Sequence, residues 1–148
     1  MQTVSDQIAL RLGYLNVLQG VITRLANGAL AIKGGSIAVM TAVLASSLGE
    51  NVQFHWGLFL GPGALFMGFH AYFLQQERAF IALYNHAADR PLADVLGLRI
   101  DAARLQAVRE PFFQVLCRPA VVGFHVVLVT CCVAIFLLAN GANRCCLT

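Results

Sequence analysis

Charge is scarce in this chain. Asp, Glu, Lys and Arg make up only 11% of its 148 residues, where soluble domains carry about a quarter. Lysine is almost missing: of ten basic residues, only Lys33 is not Arg. Catalytic signatures are missing too. No P-loop, GxSxG, HExxH or kinase pattern occurs, so an enzyme is not expected. The five Cys include no CxxC, and the vicinal pairs Cys131-Cys132 and Cys145-Cys146 are poorly suited to chelation. Their odd number argues against a full disulfide framework. Neither a metal nor any other cofactor is expected. The one polar stretch, residues 76–118, sets five acidic residues among six Arg and offers few stacking platforms, so nucleic acid is an unlikely partner. No cleavable leader is legible, because residues 1–27 are amphipathic rather than apolar. The final Cys145-Cys146-Leu147-Thr148 fits a prenylation box only formally.

What the chain has in abundance is apolar sequence. Hydrophobic residues reach 59% and mean hydropathy is +0.73. The composition predicts an all-α integral membrane protein in a single domain. Three transmembrane helices are expected, with an N-terminal amphipathic helix and a cytoplasmic helical region. A span needs about 17–25 mostly apolar residues. The stretches 29–48, 57–75 and 119–139 meet that length.

Residues 1–28 carry the amphipathic helix, with Val4, Ile8, Leu12, Leu15, Leu18, Ile22 and Leu25 at helical spacing. Ser5 or Asp6 is the expected cap. Gly28 and Gly34-Gly35 mark a bend before the first span, which Lys33 enters by snorkelling. Trp56 suits a membrane interface. Pro62, near the start of the second span, predicts a kink. The second-span helix is expected to run on to about Ala88. Asp101 caps a further helix from Ala102 to Glu110, which Pro111 ends. Asn140 to Asn143 stops the third span, leaving 140–148 as a tail. Cys131 and Cys132 read as small apolar span residues.

Two features of the spans point to function. Gly57, Gly61, Ala64, Gly68 and Ala71 recur at spacings of 4, 3, 4 and 3, so one face of the second span is almost bare of side chain. Such a stripe lets another helix approach closely. The second feature is a pair of ionisable residues. His70 lies seven residues from Glu77, and His125 seven from Arg118. At a rise of 1.5 Å per residue both sit roughly 10 Å below the same membrane edge. Ionisable groups are costly in lipid and mark ion paths or proton-sensitive sites. His70 and His125 are therefore the pore-lining or proton-sensing candidates. The bland alternative is two neutral imidazoles bonded within the bundle.

Basic residues set the expected topology. Three lie before the first span's core and six in residues 76–118, against Arg144 alone on the other side. The N-terminus is therefore expected in the cytoplasm and the C-terminus outside the plasma (bacterial inner) membrane. Lys33, Glu77, Arg78, Arg104, Arg109 and Arg118 are the candidate cytoplasmic interaction residues.

A resemblance rests on Tyr14, Leu15, Gln19, Ile22, Arg24 and Lys33, followed by Ala71, Tyr72, Leu74, Gln76, Glu77, Arg78, Leu83 and Tyr84. This pattern resembles a group of small bacterial multi-span membrane proteins. The group commonly has an acidic residue where this chain has His70. In build these proteins are similar to channel-forming effectors of anti-phage defence, including the Hailong-type membrane partner. The resemblance implies an oligomeric channel or pore that disrupts the membrane potential. The implied partners are lipid, further copies of the chain, and a cytoplasmic regulatory protein or small ligand. The alternative is a non-conducting membrane adaptor that positions a partner through the Arg-rich region.

Overall fold

A computed structural model describes residues 3–48, 57–91, 97 and 99–145, the last six by backbone alone. Among the described residues there is no β-strand. The helices are α1 (Val4–Ser47), α2 (Gly57–Asp89), α3 (Ala102–Val108), α4 (Phe112–Leu116) and α5 (Pro119–Cys145). Three of them, α1, α2 and the Pro119–Ala139 stretch of α5, are long and apolar enough to cross a membrane. The chain is thus an all-helical protein with the build of a membrane protein. The expected interface role of Trp56 falls outside the described residues.

The start of α1 differs from expectation. Thr3, not Ser5 or Asp6, closes the first turn. Its hydroxyl accepts from the Asp6 amide at 3.2 Å, and the Asp6 carboxylate accepts from the Thr3 amide at 3.0 Å. This reciprocal pair satisfies two amides that an uncapped helix leaves bare. The Thr3 hydrogen bonds also hold the Asp6 carboxyl below its ordinary range.

The helix then continues through Gly28 and Gly34-Gly35, where the sequence suggested a bend between two elements. Residues 4–28 and the first span are one helix of 44 residues. Glycine costs only about 1 kcal/mol in a helix interior, too little to end a helix with so many apolar contacts. The same small cost explains why α5 runs on to Cys145 instead of stopping at Asn140. Pro62 lies inside α2, where it removes one backbone hydrogen bond without ending the helix. Asp101 caps α3 as expected, accepting from the Arg104 amide at 2.7 Å. The α3 helix ends at Val108, two residues short of Glu110.

The chain forms two compact units, and α1 and α2 each contribute to both. Unit 1 comprises residues 1–29 and 72–112. Its buried residues include Leu18, Ala29, Ala79, Leu83 and Ala87. A polar clamp ties α2 to the Arg109–Glu110 segment. Buried Gln75 donates to the Glu110 carbonyl at 2.6 Å and accepts from Arg109 at 2.7 Å. Arg78 pairs with the Glu110 carboxylate at 2.8 Å. Arg11 donates to the Arg90 carbonyl, and the Tyr14 hydroxyl donates to the Arg99 carbonyl at 3.3 Å. Partial burial raises the Tyr14 phenol above its ordinary pKa.

Unit 2 comprises residues 30–71 and 113–148. Its core joins Met40 and Leu44 of α1, Phe59 of α2, and Cys132 and Phe136 of α5. The Phe59 and Phe136 rings meet at 6.4 Å and 59°, a tilted contact that aromatic quadrupoles favour. Buried Ser36 and Ser47 return their hydroxyls to carbonyls three residues back, each at 2.8 Å, so neither hydroxyl is left unpaired. Leu137 and Leu138, by contrast, are 57% and 74% exposed. A hydrocarbon surround accommodates such an outer face, whereas water penalises it.

Candidate functional site

The two histidines meet. His70 of α2 and His125 of α5 have ring centroids 5.6 Å apart at 59°. They are only 2% and 3% exposed. Helical arithmetic explains the meeting: Phe59, Gly63 and His70 lie four and seven residues apart on one side of α2. Phe59 packs on Phe136 of α5, and a Cβ at Gly63 would lie 3.1 Å from Val129 Cγ2 of α5. The same side of α2 therefore carries His70 against His125.

Phe124 stands nearly perpendicular to both imidazoles, at 6.3 Å from His70 and 5.0 Å from His125. The Lys33 ammonium of α1 sits 5.8 Å over the Phe124 centroid, within cation–π range. Three helices thus bring three basic side chains to one place. His70 Nδ1 and both ring nitrogens of His125 are buried with no hydrogen-bond partner among the described residues. Buried polar atoms are rarely left so. The described residues offer no cluster of three His, Cys, Asp or Glu for a metal.

His125 also lines a groove of about 250 Å³ between α2 and α5. Gly63, Ala64 and Met67 form one wall, with Val129 and Thr130 opposite.

The small-residue stripe behaves differently along its length. Ala71 is fully buried, whereas Gly57, Gly61 and Ala64 are exposed and Gly68 is half-buried. A Cβ at Gly57, Gly61 or Gly68 would meet nothing within 4 Å. The chain itself leaves those three positions open. Its tight glycine contacts are Gly28 with Phe73 and Gly63 with Val129, neither of which belongs to the stripe. The signal for Gly63 was present in its seven-residue spacing from His70. No sequence signal marked Gly28 as a contact, because its partner lies 45 residues away.

The interaction candidates divide between the units. Glu77, Arg78, Arg104 and Arg109 belong to unit 1, and Lys33 and Arg118 to unit 2. Arg78 and Arg109 are engaged by Glu110 and Gln75. Arg104 donates to the Gly97 carbonyl at 2.9 Å and lies 3.8 Å from Asp101. These three Arg contribute to the internal bonding of unit 1. Gln75, which holds that bonding together, escaped the sequence reading because an amide at the end of a span looks like a boundary marker.

Comparison with protein families, with curated proteins and with solved structures found no match for this chain.

Proposed function

We propose that the chain is a subunit of an oligomeric membrane channel, with its N-terminus cytoplasmic, its C-terminus outside, and its conduction path passing the His70–His125 layer. The observation that carries this reading is the buried basic pair itself. Two imidazoles with unpartnered nitrogens inside an apolar three-helix unit are costly unless they serve an ion or proton path. Three helices packed directly on one another enclose no aqueous lumen, so the path requires several copies around an axis. The open glycines of α2 supply a face for close helix contact between copies. Through the resemblance of its sequence, the channel is a candidate depolarising effector of anti-phage defence.

The test is current across a planar bilayer containing the purified protein. The channel reading expects discrete conductance that changes on the acidic side of the range from about pH 5 to 8 in which imidazole titrates, because a buried imidazole resists protonation. Leu at position 70 or 125 removes the pH response. Absence of current under all these conditions returns the protein to the adaptor reading.

A further inference from the structure

We propose that Lys33, His70 and His125 form a binding site for a small monovalent anion such as chloride. As a permeation site it rests on the channel reading; as a binding site it does not.

Charge balance is the first ground. Glu50 is the only acidic residue in the sequence of unit 2, and the described residues of that unit contain none. Among the described residues no carboxylate lies within ion-pair distance of Lys33. Its neighbour at the site is the Phe124 ring, at 5.8 Å, which stands edge-on against both imidazoles. In a membrane interior an ammonium without a counter-charge is strongly disfavoured. An anion between Lys33 and the imidazoles removes that cost.

Donor chemistry is the second ground. A neutral imidazole offers one N–H and a protonated one offers two. His70 and His125 hold three buried nitrogens without a partner. The ring centres lie 5.6 Å apart, so one small acceptor can receive a hydrogen bond from each ring. A cation finds no such complement: there is no carboxylate, and a metal ion finds no third ligand among the described residues. Water satisfies the N–H groups but leaves the lysine charge uncompensated.

Access is the third ground. A groove lined by Gly63, Ala64 and Thr130 opens onto His125, one of the three site residues. At about 250 Å³ it has room for a halide. Gly63 keeps that wall clear of side chain.

The experiment is ³⁵Cl line broadening on the purified protein in phosphatidylcholine nanodiscs. The expected result is excess broadening that saturates with chloride and is displaced by bromide. Lys33→Met, His70→Leu and His125→Leu each weaken it about tenfold or more, the loss of one charge-assisted hydrogen bond. His70→Gln and His125→Gln keep an N–H donor and retain part of it, while far-ultraviolet circular dichroism reports that every variant stays helical. No saturable broadening in the parent protein overturns the site, as does broadening that all three charge- or donor-removing variants leave unchanged. Broadening that disappears when phosphatidylglycerol replaces part of the lipid assigns the donors to a lipid phosphate and overturns the small-anion assignment. Chloride binding without bilayer current keeps this site and removes the channel reading. A cation-selective current without chloride binding does the reverse.

Discussion

Gly28 of α1 stands where the Phe73 ring of α2 needs room: a Cβ at position 28 would lie 2.7 Å from Phe73 Cε1 and 2.9 Å from Cδ1. Real Cβ atoms do not come so close, so the ring must rotate or the helices must part. At Gly34, six residues on, a Cβ would meet nothing within 4 Å. The two glycines therefore predict opposite signs. Gly28→Ala is expected to destabilise unit 1 by about 1–3 kcal/mol through overpacking. Gly34→Ala is expected to stabilise by up to about 1 kcal/mol through helix propensity. Thermal unfolding in detergent, followed by circular dichroism, separates them. Equal shifts of the same sign would mean the Phe73 contact does not constrain the helices.

This pair also shows where sequence reasoning stops. Hydropathy located the three long apolar helices, and the meeting of His70 and His125 at one level was expected from counting turns to Glu77 and Arg118. Those inferences use only distances along one helix. The Asp101 cap was legible for the same reason, since cap and acceptor turn are neighbours. Whether Gly28 bends a helix or admits a ring depends on Phe73, which local sequence does not reveal. The run of α1 through Gly34-Gly35 and of α5 past Asn140 reflects the same limit: breakers cost about 1 kcal/mol each, and packing outweighs them. Thr3 was missed as a cap because Ser5 and Asp6 are equally good cap residues, and only geometry chooses.

A second prediction concerns Gln75. Its side chain is 5% exposed and uses both ends, donating to the Glu110 carbonyl and accepting from Arg109. Leu in its place leaves both partners without that bond in a half-buried setting. The expected cost is about 1–3 kcal/mol. Arg104→Ala is the contrast. The Arg104–Asp101 pair spans 3.8 Å with both side chains well exposed, so its loss is expected to cost no more than about 1 kcal/mol. Hydrogen exchange of the 102–110 amides should rise strongly in the first variant and little in the second. Similar exchange in both would show that the polar clamp does not hold this segment.

The last prediction separates assembly from folding. Gly61 and Gly68 are open in the chain, so Leu at either position meets no atom of its own copy at the Cβ. Gly63 differs, because a Cβ there already presses on Val129 at 3.1 Å. If the stripe is the contact between copies, Gly61→Leu and Gly68→Leu should each shift the oligomer toward monomer while helicity and thermal unfolding of the monomer stay unchanged. A bulky side chain holds two backbones apart where close packing supplies the association energy. Gly63→Leu should instead lower the unfolding temperature of the monomer, since it wedges α2 from α5 and from the His70–His125 layer. Leu60→Ala, on an exposed position beside the groove, is the control expected to change neither. Native mass spectrometry reads the assembly state and circular dichroism reads the fold. Unchanged oligomers in both the Gly61 and Gly68 variants would remove the stripe as an assembly face, and a destabilised monomer in either would show that the chain uses that space itself.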